Sequence, residues 1–218
     1  MTLLIFDCDG VLVDSEPLAC AVDAEILTGL GFPYTPAAIA SRFVGTSLTD
    51  MIRRIEAEHG RPLPADFGEQ VSRTLLARFE RDLKPLSAVR EAILALPYPR
   101  CVASSSTPDR IALSLQVTGL GDLFERVFSS VEVRHGKPAP DLFLHAAAQM
   151  SASADHCVVI EDSLAGVQGA RAAGMRVIGF TGGGHCGPTH AEALKDAGAT
   201  ATVAHMRDLP AVVERLVA

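Results

Sequence analysis

Two aspartates, Asp7 and Asp9, stand one residue apart directly after the apolar run Leu3-Leu4-Ile5-Phe6. Four apolar residues suffice for one buried strand, and residues two apart in an extended chain share a face. Both carboxylates can therefore address one small volume at the strand's carboxyl end. Like charges held that close repel unless a cation or a proton lies between them, so the pattern describes a site rather than a core. Gly10 permits a tight turn, and Val11-Leu12-Val13 followed by Asp14-Ser15 reads as a small flap leading the chain away. In isolation, Asp-x-Asp also fits a solvated turn or a calcium loop.

The elements that must position these acids are set by periodicity. After the flap, Ser15-Glu16-Pro17 opens a helix, with Ser15 as N-cap and Pro17 in the first turn. Amphipathic segments come next at Pro36 to Phe43, Leu48 to His59 and Pro64 to Leu83, with no strand between them. Residues 15–84 thus read as an all-helical insert, and residues 1–14 with 85–218 as the body that carries it. From Pro85 onward, helices alternate with short β-like runs at Arg100 to Ala103, Val127 to Ser129, Val158 to Ile160 and Val177 to Phe180. That alternation predicts an α/β fold, a parallel sheet covered by helices on both faces.

In open parallel sheets ligands bind beyond the carboxyl ends of the strands, so the residues just past each apolar run matter most. After Ala103 come Ser104-Ser105-Ser106-Thr107; beyond Val127 to Ser129 a loop delivers Lys137; after Ile160 come Glu161-Asp162-Ser163. Acting on a phosphate ester, each residue type has a task. Asp7 can attack phosphorus, splitting one hard displacement into two easier ones. Mg²⁺ prefers carboxylate and phosphate oxygens, and Asp7, Asp162 and Glu161, with the chain at Asp9, are its candidate ligands. Ser104, with Ser105 and the neighbouring amides, can donate to phosphoryl oxygens, while Lys137 lets two anions approach. Asp9 remains to protonate the leaving alcohol and to deprotonate the attacking water. The Ser104 to Thr107 hydroxyls can also cap the helix that begins at Pro108, and Ser163 the one after it.

The series Asp7-x-Asp9-Gly-Val-x-x-Asp14-Ser-Glu, Ser104, Gly136-Lys137-Pro138-x-Pro140-Asp141 and Glu161-Asp162-Ser163-x-x-Gly166 resembles the haloacid dehalogenase superfamily. Within it, the likeness is to the sugar-phosphate phosphatases and β-phosphoglucomutases. The resemblance implies a Rossmann-like three-layer core, a helical cap inserted after the first motif, Mg²⁺ dependence and a phosphoaspartate formed on Asp7. It also implies that Asp9 is the acid and base, that Ser104 and Lys137 lie on the phosphoryl group, and that Glu161 and Asp162 lie on the metal side, with Glu161 holding Lys137. Dehalogenating members lack the second aspartate, which this chain has. The mutases carry a histidine five positions after the flap aspartate and an arginine three after the cap-loop glycine, where this chain has Ala19 and Leu48. A mutase must grip a bisphosphate, so hydrolysis of a sugar, sugar-acid or polyol phosphate is expected over mutase activity. A phosphorylation-switched receiver module uses similar groups but has no such helical insert. Glu16, Arg42, Thr46 and Ser47 are specificity candidates by position.

Composition sets outer bounds. The 218 residues are 48% hydrophobic and 21% charged with a net charge of -7, and no basic stripe invites nucleic acid or an anionic membrane. A strand within three residues of Met1 leaves no room for a signal peptide, and five widely spaced cysteines suit a reducing compartment; both point to the cytoplasm. The expected partner is a small-molecule phosphate ester, bound by a monomer or a dimer. Gly182-Gly183-Gly184-His185-Cys186-Gly187-Pro188-Thr189-His190 fits no standard zinc spacing. It reads as a flexible strand-to-helix connection capped by Thr189, with a rim role for His185 as the alternative.

Overall fold

The computed structural model describes residues 1–218. The chain runs β1 (Leu3–Phe6), α1 (Glu16–Gly29), α2 (Pro36–Phe43), α3 (Leu48–His59), α4 (Phe67–Asp82), α5 (Val89–Leu94), β2 (Arg100–Ser104), α6 (Pro108–Val117) and β3 (Arg126–Ser129). It continues through α7 (Asp141–Gln149), β4 (Cys157–Glu161), α8 (Leu164–Ala172), β5 (Arg176–Phe180), α9 (His190–Asp196), β6 (Ala201–Val203) and α10 (Leu209–Val217). All strand pairs are parallel, in the order β3-β2-β1-β4-β5-β6. The first strand is therefore central, with Ile5 opposite both Cys101 and Val159. A strand covered on both faces and both edges must be apolar throughout, as Leu3 to Phe6 is.

The period of two divides the core. Leu4 and Phe6 face one layer with Val102, Val158, Ile160, α5, α6 and α10, and Leu3 and Ile5 face the other with Val159, Val177, α7 and α8. Strand order reverses between β1, which leads to β2, and β4, which leads to β5. The carboxyl ends of β1 and β4 thus form the topological switch point where such sheets bind ligands.

Helices α1 to α4 build a third cluster, from Cys20, Leu27, Phe32, Tyr34, Ile39, Phe43, Met51, Ile55 and Phe67. The other stripe of α1 and α4, Val22, Leu75, Phe79 and Leu83, packs into the first layer of the sheet core. The chain leaves and returns side by side: Asp14 N donates to Lys84 O at 3.1 Å, and Leu86 N to Leu12 O at 3.0 Å. Local chemistry sets several ends. Thr35 accepts from Ala38 N and Ser47 from Asp50 N, and α3 stops at Gly60 with φ 65°.

Three expected caps are corrected. Ser15 is fully buried with helical φ and ψ, so its hydroxyl is turned inward and makes no capping bond. Thr189 also has helical dihedrals and caps nothing. Thr107 has extended N-cap geometry but no side-chain capping bond to α6. Within that run Ser106 is drawn instead to Asp9, where a charged acceptor offers the stronger bond.

Candidate active site

Asp7, Glu161 and Asp162 converge at the switch point, with carboxylate oxygens all within 4.8 Å of one another and every side chain buried. They come from two adjacent strand ends, since Phe6 is level with Ile160 and Asp7 N donates to Ile160 O at 2.9 Å. Lys137 reaches in from the loop after β3, its side chain 4% exposed, and donates to Asp7 Oδ1 at 2.7 Å and to Glu161 Oε1 at 2.5 Å. Burial would lower the lysine's proton affinity, but the two carboxylates outweigh it and hold the ammonium above the ordinary lysine range.

Glu161 is fully engaged. Its Oε2 accepts from Ser163 N at 2.7 Å and from Ser163 Oγ at 2.9 Å, while Ser163 Oγ itself caps α8 by accepting from Gly166 N. Two glycines make the room. A Cβ on Gly166 would stand 1.8 Å from Glu161 Oε1, and one on Gly10 would stand 1.9 Å from Asp162 Oδ2 at a φ of +76°. Gly166→Ala is expected to push Glu161 off Lys137, destabilising the fold by about 1–3 kcal/mol and lowering catalytic turnover. Thermal melts and a phosphate-release assay check both effects, whereas a variant with wild-type melting would show that Glu161 has another place to go.

The charge balance is uneven. Burial, together with the charges of Glu161 and Asp162, raises the Asp7 carboxyl well above its usual range despite Lys137. Burial likewise brings Asp162 to about 7, although His185 pulls it down. Three buried carboxylates against Lys137 and the His185 imidazolium still leave a deficit of positive charge, and oxygen donors of this kind suit a hard divalent cation. The site therefore fits Mg²⁺.

Asp9 points to a different set of partners, and its carboxylate lies outside that three-carboxylate group. It accepts from Ser106 Oγ at 2.6 Å and from Arg110 at 2.9 Å. Burial pushes its proton affinity up, but Arg110 and Ser106 prevail and hold it below the ordinary range. Ser104 is buried at the end of β2, with Oγ accepting from Ser106 N at 3.1 Å, and Ser105 is exposed beside it. Glu16 lies in the electrostatic field of Asp9, Arg110 and His185, and burial raises its carboxyl.

The other specificity candidates are occupied elsewhere. Arg42 makes a bidentate ion pair with Glu58, which also accepts from Tyr34 Oη, and its guanidinium lies 5.2 Å from the Phe43 ring centroid. Thr46 Oγ1 donates to Phe43 O at 2.7 Å and Ser47 caps α3.

Two site residues, Arg110 and His185, lie outside the expected catalytic set. Arg110 carried a signal: a cation in the first turn of a helix sits against the helix dipole, a placement that calls for a buried anion nearby. The loop after β5 is corrected from a flexible connection to a wall of the site. His185 Nε2 lies 3.1 Å from Asp162 Oδ2 with the side chain 6% exposed, Gly184 N donates to Asp14 at 3.0 Å, and His190 Nε2 donates to Asp162 O at 2.6 Å. Burial would lower the His185 imidazole, but the bond to Asp162 raises it to about 10.

Residues 4–180 match the model of the haloacid dehalogenase-like hydrolases. The chain belongs to that family, and it is an enzyme of the phosphatase class. It is 30% identical over 209 residues to the 6-phosphogluconate phosphatase of Escherichia coli, covering 95% of this chain and 92% of that protein. It is 31% identical over 208 residues to the phosphorylated carbohydrates phosphatase of Thermotoga maritima, covering 93% and 94%. Among solved structures, a conserved haloacid dehalogenase-like protein of unknown function from Agrobacterium tumefaciens superimposes over the whole of both chains with a TM-score of 0.91 and 42% identity.

Proposed function

We propose that this enzyme hydrolyses the phosphate ester of a small carbohydrate, a sugar, sugar-acid or polyol phosphate, through a phosphoaspartate on Asp7. The observation that carries the reading is Asp7 itself: a buried carboxylate at the carboxyl end of the central strand, 2.7 Å from a buried lysine and beside Asp162. The relatives supply the carbohydrate class, since their names are those of a 6-phosphogluconate phosphatase and a phosphorylated carbohydrates phosphatase.

The remaining Asp7 carboxylate oxygen attacks phosphorus as the ester P–O bond breaks. Asp9 delivers a proton to the leaving alkoxide, then takes one from the water that attacks the acyl phosphate, returning Asp7 and releasing phosphate. Arg110 and Ser106 hold Asp9 ionised in the structure, so it must gain a proton as substrate arrives. An incoming dianion does this by repulsion and by competing for the Arg110 guanidinium. Lys137 neutralises the approach of two anions, and Glu161, saturated by Lys137 and Ser163, orients that lysine rather than binding metal. Asp7 and Asp162 would hold Mg²⁺, which supplies charge stabilisation to the phosphoryl oxygens when bound.

Residues 15–84 act as a cap over this rim, hinged where residues 12–14 and 84–86 lie side by side. With Arg42 paired to Glu58, and Ala19 and Leu48 where the mutases carry a histidine and an arginine, the cap has little cationic grip for a second phosphate, which favours hydrolysis. The test is phosphate release with Mg²⁺ from a small aryl phosphate and from a panel of sugar, sugar-acid and polyol phosphates. Turnover of at least one carbohydrate phosphate well above the aryl ester is expected. A requirement for a bisphosphate activator, with no free phosphate formed, would overturn the hydrolytic reading.

A further inference from the structure

Beside the carboxylates lies a second group of metal-ligating side chains that the phosphatase chemistry leaves unused: His185, Cys186 and His190, each offering an atom within 4.8 Å of the other two. Its donors are imidazole nitrogen and thiol sulphur, which suit a borderline cation rather than Mg²⁺.

The His185–Cys186 spacing matches that of a tetrahedral centre. Metal bonds of about 2.0 Å to nitrogen and about 2.3 Å to sulphur place a ligand nitrogen and sulphur about 3.5 Å apart. His185 Nε2 and Cys186 Sγ are separated by 3.5 Å, and on its other side His185 Nε2 lies 3.1 Å from Asp162 Oδ2. His190 gives its Nε2–H to the backbone carbonyl of Asp162 at 2.6 Å, which leaves the Nδ1 lone pair for a metal. A ligating histidine commonly gives its other ring N–H to such a carbonyl. The His185 side chain is only 6% exposed, so its Nε2 is held away from bulk water beside Cys186 and Asp162. The surroundings are anionic, with Asp14 bonded to Gly184 N and Glu16 in the field of the His185 ring.

We propose that His185, Cys186, His190 and Asp162 form a site for a borderline divalent cation of the zinc class, and that its occupation inhibits the phosphatase by engaging Asp162. On binding, the Cys186 thiol and the His185 imidazolium each lose a proton to solvent, and sulphur, two nitrogens and one carboxylate oxygen become the ligands. The site is distinct from the all-oxygen group around Asp7, and Asp162 is the residue through which the two communicate.

Titration of the metal-free protein with Co²⁺ tests the site without recourse to activity. One equivalent is expected to give a thiolate-to-cobalt charge-transfer band together with tetrahedral visible bands, both bleached by Zn²⁺. Cys186→Ser, a half-buried loop position outside the catalytic groups, should lose the charge-transfer band and bind Zn²⁺ at least tenfold more weakly. It should keep Mg²⁺-dependent phosphate release and become resistant to Zn²⁺. His190→Gln should also weaken Zn²⁺ binding while retaining the thiolate band at higher cobalt concentration. Absence of a thiolate band in the parent protein overturns the proposal. So does Zn²⁺ binding and inhibition unchanged in Cys186→Ser, which would place zinc among the Asp7 carboxylates instead.

Discussion

Asp7→Asn is expected to lower phosphate release on the order of 10⁴-fold or more while leaving the protein as stable as before, or more so. The amide cannot form the acyl phosphate, so the loss falls on turnover at every substrate concentration. Stability moves the other way because of the charge balance at the switch point. Asp7 and Glu161 share one buried ammonium while Asp162 faces His185, and burial, together with its acidic neighbours, raises the Asp7 carboxyl well above its usual range. A carboxyl raised in the folded state gives stability that is fully present below its unfolded pKa and is lost as pH rises through the folded value. Ionising this side chain in the folded protein is therefore a cost, one that asparagine lacks. Lys137 keeps its bond to Glu161 in the variant. A phosphate assay and a thermal melt in metal-free buffer check the two halves. Activity surviving in Asp7→Asn would sink the covalent mechanism; a collapse in melting temperature would mean that the ion pair outweighs the desolvation.

How much of the structure was legible in the chain depended on how local the cause was. The parallel sheet was legible because a strand buried on both faces must be continuously apolar, and Leu3 to Phe6 and Cys157 to Ile160 are. Helices α2 and α3 were legible to their ends because Thr35, Ser47 and Gly60 mark them chemically. Strand-end acids and hydroxyls were visible because the switch-point rule says where to look, and the structure does bring Asp7, Lys137, Glu161 and Asp162 together. What sequence did not reveal was pairing across distance. Asp9 and Arg110 are 101 residues apart and Glu58 is 16 from Arg42. Whether a cation faces the pocket or another side chain is decided by helix packing, which leaves no periodic trace. The expected caps at Ser15, Thr107 and Thr189 failed for a related reason. A hydroxyl caps a helix only if backbone dihedrals and competing partners allow it; Ser15 and Thr189 have helical dihedrals, and in the run before α6 Ser106 bonds Asp9 instead. The His185 loop was misjudged because glycines suggest freedom, whereas here a chain rich in them folds closely against the site.

Lys137→Ala should be the most damaging single change to the fold. The ammonium is 4% exposed, bonded to two buried carboxylates, and 5.1 Å from the Phe143 ring centroid, so its removal strands Asp7 and Glu161 together without a cation. Breaking a buried pair by deleting one partner costs about 3–5 kcal/mol. In a protein of this size that corresponds to a fall of about 6–20 °C in melting temperature. The penalty depends on pH in a direction fixed by the same geometry. Without the lysine, the already raised Asp7 carboxyl rises further, so protonation relieves the variant in acid and its deficit grows as pH increases through that raised value. Melting curves across mildly acidic to alkaline buffer should show the gap to the parent widening; a gap independent of pH would mean that lost packing rather than stranded charge is the cause. The double variant Asp7→Asn with Lys137→Ala separates these directly. If charge is the cause, removing the carboxylate raises the stability of Lys137→Ala by more than it raises that of the parent, because the anion it removes is a stranded one. If packing is the cause, the two changes simply add.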